Sequence, residues 1–316
     1  MPTFPAVHAR RADKCPVGQK IFSKVSLRGY FVAVAFCGLL TLLLVAGETD
    51  GEPARNPSSP AVSALQETSS VAYGTAAHQL LDVYAEPDTG VLPVVIHLGA
   101  TPHDIPAWVL ELTEMGWAVV DVGYATSNGV VALPEAVDDV RLATEWVQEA
   151  SKRYGFVANN VVVVGEGVGG LIGGLAIAQS TSGSAVSGSP YSGFVSSDAP
   201  LDTRVAWWDM GEHASLAAAL GCEMPCPADK FENFSLVNKL GSTFPPSYIA
   251  ANESRDVARS GRESFNRSLR EKSEQLSPMV WLDNFDAVAN MPSNRIQLQL
   301  FFTELSLVAI ESLTES

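Results

Sequence analysis

The sequence is poor in basic residues, in cysteine and in histidine, and each shortage excludes a class of function. Twenty lysines and arginines stand against 35 aspartates and glutamates in 316 residues, which gives a formal net charge of −15. A protein of this charge repels phosphates, so we expect no nucleic-acid partner. Of the four cysteines, Cys222 and Cys226 have only His213 close by. These are too few ligands for zinc, and no metal site is expected.

What is present is typical of one large globular domain with appendages. Hydrophobic residues make up 47% of the chain and charged residues 17%, so there is ample material for a core. Residues 1–28 are basic, with six lysines and arginines against Asp13 alone. We therefore expect this basic segment and the acidic remainder of the chain to face different surroundings.

A run of 19 uncharged residues, 29–47, follows the basic segment. This length meets the requirement for a membrane-spanning helix, and the basic side is expected to stay in the cytosol. We therefore predict a cytosolic tail over 1–28, a signal anchor over 29–47 and a flexible stalk over 48–72, with the domain at 73–316. These segments predict a single-pass type II membrane protein. The alternative is a cleaved signal peptide, for which the charged lead is long.

In either case we expect the domain to be lumenal or extracellular, which is an oxidising environment. Cys222 and Cys226 are spaced to close a small disulfide loop there. Three N-x-S triplets, at Asn233, Asn252 and Asn266, are candidate glycosylation sites in a eukaryotic host.

From residue 73 onward, β-branched runs alternate with helical patterns, which predicts an α/β fold with a mostly parallel sheet flanked by helices. Strands are predicted at 79–86, 92–98, 117–123, 161–164, 193–197, 247–251 and 295–302. Helices are predicted at 106–115, 134–154, about 168–178 and 259–276. The strand at 161–164 leads directly into a glycine cluster and then into an apolar helix.

The glycine cluster matches two families that place glycines between a strand and a helix. Gly165, Gly167 and Gly170 fit the G-x-G-x-x-G turn that binds FAD or NAD. That turn belongs to the first strand of its domain and needs an acidic residue about 20 positions later. Neither condition is met, since ordered chain precedes the turn and a Ser/Gly loop follows it. Dinucleotide binding stays as an alternative.

Four segments in order resemble the α/β-hydrolase superfamily, in its carboxylesterase-like branch with feruloyl-esterase-like and prenylcysteine-methylesterase-like proteins. They are LDVYAEP at 81–87, VVIHLGA at 94–100, ALPEAVDDVRLATEW at 132–146 and VVVVGEGVGG at 161–170. The resemblance implies an α/β-hydrolase fold without a cofactor. It also implies a catalytic serine at the glycine cluster, followed in the chain by an acid and a histidine.

The positions that match the family's catalytic residues depart from its pattern. Gly167 stands where the resemblance places the nucleophilic serine, in G-E-G instead of G-E-S. Asp256 matches the acid, but all five histidines precede it, and none follows residue 302 where the base is expected. The resemblance implies an oxyanion pocket at His97, Gly99, Glu166, Gly167 and Val168, although Leu98 and Ala100 replace glycines of the family's segment.

Three hypotheses follow. The first is a catalytically degenerate, membrane-anchored family member that binds a small ester-like ligand or a protein partner in the old active-site cleft. The second is an active ester hydrolase with an unconventional nucleophile, Ser196, Ser197 or Ser254, and His97 or His103 as base. The third is the dinucleotide-binding protein. For His97, which follows a buried strand, we expect a structural hydrogen bond rather than a role as a base.

Overall fold

The computed structural model describes residues 65–86, 90–99, 103–181, 189–206, 210–223, 225–272, 280–286 and 290–314. The predicted tail and anchor, and the stalk as far as residue 64, lie outside these ranges. Within them, no helix is long and apolar enough to cross a membrane.

Eleven strands are found in the described residues. They are β1 (Gln66–Ala72), β2 (Leu80–Ala85), β3 (Leu92–Leu98), β4 (Ala118–Val122), β5 (Thr126–Ser127), β6 (Val130–Val131), β7 (Phe156–Glu166), β8 (Tyr191–Ser197), β9 (Ser247–Ala251), β10 (Val280–Asp286) and β11 (Met291–Pro292). Nine of these form one sheet, in the order β1-β2-β4-β3-β7-β8-β9-β10-β11, and β5 and β6 form a separate hairpin. The run from β4 to β10 is parallel, whereas β1, β2 and β11 pair antiparallel at the edges.

The helices are α1 (Ala107–Leu110), a 3₁₀ helix (Glu111–Met115), α2 (Leu133–Tyr154), α3 (Val168–Thr181), α4 (Thr203–Ala206), α5 (Met210–Ala219), α6 (Ala228–Asn233), α7 (Leu236–Lys239), α8 (Asp256–Lys272) and α9 (Arg295–Thr314). They cover both faces of the sheet. Side chains of α2, α3, α7 and α8 pack in one core cluster, and those of α1, the 3₁₀ helix and α9 pack in another. The expected α/β-hydrolase arrangement, a mostly parallel sheet flanked by helices, is confirmed.

The end of the chain differs from the prediction. Residues 295–302 were expected to form the last strand, but they begin α9, and the last parallel strand is β10. Four apolar side chains that pack on the sheet have helical spacing: Leu298, Phe301, Phe302 and Leu305. The spacing of these residues matches the period of a helix. In the sequence alone, the run RIQLQLFF also shows the alternation of a strand.

The start of the domain differs as well. Residues 66–72 were assigned to the flexible stalk, and this assignment was wrong because they form β1 at the edge of the sheet. β1 is mostly exposed and polar, so its composition resembles that of a linker. What holds it is the backbone pairing with β2, which composition does not reveal.

Candidate active site

The predicted strand, turn and helix around the glycine cluster are present. β7 ends at Glu166, Gly167 makes the turn with φ of +53°, and α3 begins at Val168. Gly167 and Val168 are only partly buried, whereas the residues on both sides are buried. The backbone N–H of Gly167 donates to the carbonyl of Ser197 at the end of β8 (2.8 Å). The turn is therefore fixed to the sheet and is partly open to solvent.

The glycines on either side of the turn are required by packing. A Cβ on Gly165 would lie 2.5 Å from the Cα of Gly170, and one on Gly169 would lie 2.2 Å from the carbonyl oxygen of Leu98. Both distances are far below any real Cβ contact, so helix α3 can approach β7 and β3 only because these residues are glycine. Close packing between helix and sheet accounts for the cluster without a bound phosphate.

The sheet order also separates the two families that the glycine cluster matched. In a doubly wound dinucleotide-binding domain, the glycine turn follows the first strand of the sheet order 3-2-1-4-5-6. Here the turn follows β7, between β3 and β8, with four sheet strands earlier in the chain. The position of the turn is therefore that of a nucleophile elbow, in which a strained turn presents a residue at the top of the sheet.

His97 lies inside the sheet and contacts a carboxylate. Its side chain is fully buried, and Nδ1 is 2.7 Å from Oδ1 of Asp121 on the neighbouring strand β4. Its Nε2 has no hydrogen-bond partner among the described residues. The pair has the geometry of a base and its orienting acid, but the imidazole is closed off from solvent. The structure thus places His97 as an interior residue beside the expected pocket.

Glu166 is buried directly before the turn. Its carboxylate accepts a hydrogen bond from the indole N–H of Trp108 on α1 (3.3 Å). Burial raises the pKa of Glu166, and the carboxylate of Asp104 adds to this, while His97 and the Trp108 hydrogen bond act in the opposite direction. The family resemblance implied a pocket position for Glu166, but nothing in the sequence indicates its contact with Trp108.

Two further residues of the expected site have structural contacts. The carbonyl of Gly99 accepts a hydrogen bond from the hydroxyl of Tyr124 (2.9 Å). Val168 is the first residue of α3, a helix of 14 residues, so its N–H belongs to a helix terminus that lacks intrahelical acceptors. Positive partial charge at such a terminus attracts a carbonyl or carboxylate oxygen.

Asp256 does not lie where an orienting acid is needed. It is the first residue of α8, its side chain is 72% exposed, and it forms an ion pair with Arg259 (2.5 Å). Asp198, after β8, is instead buried and receives the backbone N–H of Asn252 (3.0 Å) and the guanidinium of Arg255 (2.6 Å). Asp198 therefore ties the ends of β8 and β9 together, and sequence analysis missed this role.

The alternative serine nucleophiles do not meet a histidine in the described hydrogen bonds. Ser196 and Ser197 end β8, are fully buried, and their hydroxyls have no hydrogen-bond partner there. Ser254 lies in an exposed turn, where its backbone N–H donates to the Asn252 side chain (2.9 Å). None of the three has the contact to His97 or His103 that would activate a hydroxyl.

The remaining predicted features differ in their exposure, and Cys226 is fully buried. Cys222 and Cys226 form a disulfide, with Cα atoms 5.4 Å apart. Of the three candidate glycosylation sites, Asn233 is exposed at the end of α6, whereas Asn252 and Asn266 are partly buried.

Comparisons with known proteins agree with this geometry. Residues 82–198 match the BD-FAE family model, and no curated protein sequence matches. Among solved structures, esterase B from Lactobacillus rhamnosis is 12% identical with a TM-score of 0.62, covering 91% of this chain and 97% of its own. A truncated carbohydrate esterase from gut microbiota is 16% identical (TM-score 0.62; 79% and 100% covered), and an esterase from Pseudomonas putida is 19% identical (TM-score 0.52; 70% and 72% covered).

Proposed function

We propose that this chain is a non-catalytic member of the carboxylesterase-like α/β-hydrolase superfamily that binds rather than hydrolyses. The match of residues 82–198 to the BD-FAE family model and the fold shared with esterases support this proposal. Its occupant is a small ester-like ligand or a protein partner, bound above the elbow. One observation carries the proposal. The elbow residue is Gly167, with the left-handed backbone that such a turn requires and no side chain.

Ester hydrolysis by this fold needs a hydroxyl at the elbow. The serine attacks the carbonyl, a histidine takes its proton, and an acid orients the histidine. Removing members of such a triad lowers kcat by about 10⁴ to 10⁶ and leaves only binding and oxyanion effects. Gly167 supplies no nucleophile, so turnover by this route is lost while the fold is kept.

The other two triad positions support the same proposal. Asp256 is exposed and paired with Arg259. After the last parallel strand, β10, the chain contains no histidine. His97 and Asp121 do form a histidine–carboxylate pair, but both are buried in the sheet. A base that is closed off from solvent cannot serve a substrate in the cleft.

The binding capacity that remains is provided by the backbone. The first N–H groups of α3, at Val168 and Gly169, have no acceptor one turn earlier in their own helix, and such groups attract a negatively polarised oxygen. They are held in place by the close packing of Gly165 and Gly169 against their neighbours. A ligand oxygen or a side chain of a partner protein can be bound at this terminus without being cleaved.

The proposed setting is a membrane surface, with the domain on the non-cytosolic side and the span at 29–47. Glycosylation tests this topology, because Asn233, Asn252 and Asn266 are modified only after transfer across the membrane. We expect glycosidase treatment of the eukaryotically expressed full chain to lower its apparent mass. The carbonate-washed membrane fraction should retain the chain. An unmodified chain, or a chain released by carbonate, would contradict this topology.

The activity test compares the native full chain with a Gly167→Ser variant, using short-chain p-nitrophenyl esters and a fluorophosphonate probe. We expect no turnover and no labelling of the native chain, together with calorimetric binding of a non-cleaved ester analogue. Gly167→Ser restores a hydroxyl without a base, so it should also remain silent. Gly116→Ser is the matched control, since Gly116 has φ of +81° and no atoms close to a new side chain.

Hydrolysis accompanied by labelling of the native chain would overturn the proposal. The labelled residue would then be mapped by peptide analysis, and a label on Ser196, Ser197 or Ser254 would establish the unconventional nucleophile. Failure of the ester analogue to bind would leave a protein partner as the occupant.

A further inference from the structure

Two carboxylates on neighbouring strands of the sheet form a cluster with an imidazole, and none of the three residues belongs to the elbow. Asp82 on β2 and Asp121 on β4 are directly opposite each other in the antiparallel register. His103 lies after the end of β3, and its Nδ1 is 3.4 Å from Oδ2 of Asp82 and 3.5 Å from Oδ2 of Asp121. One ligand atom from each residue lies within 4.8 Å of the other two.

The side-chain partners of the two aspartates in the described residues are imidazoles, His97 and His103, rather than permanently charged groups. Like charges directly opposite each other destabilise an antiparallel pair, and a buried carboxylate is costly unless it is paired. The side chain of Asp121 is only 1% exposed and that of Asp82 17%. Among the ion pairs of the described chain, no lysine or arginine reaches either carboxylate. A divalent cation would neutralise both.

In each aspartate, one carboxylate oxygen is held by a neighbouring group, and this orients the other oxygen. Oδ1 of Asp82 accepts the backbone N–H of Ser70 (2.7 Å), and Oδ1 of Asp121 lies 2.7 Å from Nδ1 of His97. The Oδ2 atoms are the ones that face His103. Hydrogen bonds that orient the ligating groups in this way are typical of metal sites.

The imidazole is seated against the backbone of the neighbouring strand. A Cβ on Gly123 would lie 2.7 Å from Nε2 of His103, so the glycine makes room for the ring.

We propose that Asp82, Asp121 and His103 bind a Zn²⁺ ion. Tetrahedral zinc with nitrogen and oxygen ligands at 2.0–2.1 Å places neighbouring ligand atoms about 3.3 Å apart. The separations of 3.4 and 3.5 Å match this value closely. One imidazole and two carboxylates form a ligand set of mixed nitrogen and oxygen atoms. Such a set suits zinc better than Mg²⁺ or Ca²⁺, which prefer oxygen ligands alone.

The site leaves one coordination position for a ligand from solution. Three protein ligands with a fourth open position are characteristic of zinc sites that bind water or substrate. The His103 side chain is 40% exposed, so the site is accessible from solvent. This site does not depend on the proposed loss of ester hydrolysis, because it uses none of the elbow residues.

The test is zinc binding by the full chain in detergent micelles after removal of metal with EDTA. We expect one Zn²⁺ bound at micromolar or lower concentration by calorimetry, and a rise in Tm over the EDTA-treated chain. His103→Asn removes the imidazole, and asparagine tolerates the left-handed backbone of this residue (φ +64°). This variant and Asp121→Asn should each bind zinc more than about 100-fold more weakly, since even outer contacts contribute 10- to 100-fold.

The matched control is His78→Asn. The His78 side chain is 42% exposed and its Nε2 lies 3.0 Å from Asp139, so it forms a similar pair with one carboxylate only. The second oxygen of Asp139 is already occupied by Gln79 (2.8 Å). We expect His78→Asn to keep the native zinc affinity. If Asp121→Asn fails to fold in EDTA, the zinc affinity of His103→Asn alone tests the proposal, because the His103 side chain is 40% exposed and its loss should leave the fold intact.

Three results would overturn the proposal. The native chain would retain no zinc, His103→Asn would bind zinc as tightly as His78→Asn, or X-ray absorption at the zinc edge would show sulfur ligands. The last result would assign the bound zinc to cysteines elsewhere in the chain.

Discussion

The indole N–H of Trp108 donates a hydrogen bond to the carboxylate of Glu166, 3.3 Å away, directly before the turn at Gly167. This contact joins α1 to the end of β7 and keeps an acidic side chain inside the protein beside the glycine turn. Because burial raises the pKa of Glu166, the folded state takes up a proton more readily than the unfolded chain does. Stability must therefore fall as the pH rises above the unfolded pKa, which is about 4.3.

We predict that Glu166→Gln raises Tm at pH 7 and has little effect near pH 4. The amide keeps an oxygen for Trp108 but has no charge to desolvate, so the gain over the native chain should grow with pH. Thermal unfolding followed by circular dichroism between pH 4 and 8 measures it. Glu114→Gln, at an exposed position of the 3₁₀ helix, should show no such trend. A gain that does not change with pH would contradict this prediction.

A second prediction concerns Asp202, whose pKa is shifted in the direction opposite to that of Glu166. Burial alone would raise its pKa, but the bonds and charge of Arg204, with Ser264 and Ser235, outweigh burial and lower it. Both oxygens of Asp202 accept from Arg204 at 2.7 Å. Asp202→Asn should cost about 1.5 to 3 kcal/mol of unfolding free energy at pH 7.

This loss should shrink as the pH falls below about 3.9, because the unfolded chain then binds a proton that the folded carboxylate, with its lowered pKa, binds only at still lower pH. Urea unfolding at pH 7 and pH 3 measures the two values. The control is Asp138→Asn, which breaks the exposed pair with Arg141 (3.2 Å) and should cost at most about 1 kcal/mol. Equal losses in the two variants would show that Asp202 is not specially stabilised.

Gly165→Ala tests the close approach of α3 to β7. The new methyl group would lie 2.5 Å from backbone atoms of Gly170, which cannot rotate away. We expect a loss of about 3 kcal/mol, at the upper end for overpacking. In Gly241→Ala the nearest atom would be 4.0 Å away, so unfolding free energy should change by less than about 1 kcal/mol. Chemical denaturation of the two variants measures these changes in unfolding free energy.

The turn itself can be tested with Gly167→Ala. A side chain at φ of +53° costs about 1 to 2 kcal/mol, because Cβ approaches the carbonyl oxygen. Gly116→Ala, at φ of +81° with open space around it, should lose a similar amount from backbone strain alone. A much larger loss at Gly167 would mean that the elbow also lacks room for a side chain.

The central part of the fold was predictable because its signals are local. The β-branched runs of β3, β4 and β7 and the glycines before α3 determine strand, turn and helix by chain geometry alone. The nature of the elbow residue, Gly167, was visible for the same reason. Residues 295–302 were assigned incorrectly because apolar residues in this run fit both periods, and only their packing on the sheet distinguishes a helix from a strand.

The site was less predictable where it depends on contacts between distant segments. Asp256 was favoured by its position after β9, but its exposure and its pairing with Arg259 are properties of the folded surface. Nothing in the sequence indicated that Asp82 and Asp121 pair across β2 and β4, since strand order is decided by the whole sheet. Histidine ligands were considered only near the cysteines, so His103 was named as a candidate base and not as a metal ligand.

The edge strand β1 has a mechanical consequence. It pairs with β2 from Gln66 opposite Ala85 onward, so a pull on the chain before Gln66 opens the pairs one after another from that end. Sequential opening needs far less force than breaking all the pairs at once. Detachment past Ser70 removes the N–H that holds Asp82, so tension at the N-terminus would loosen the carboxylate cluster before it disturbs the sheet behind it.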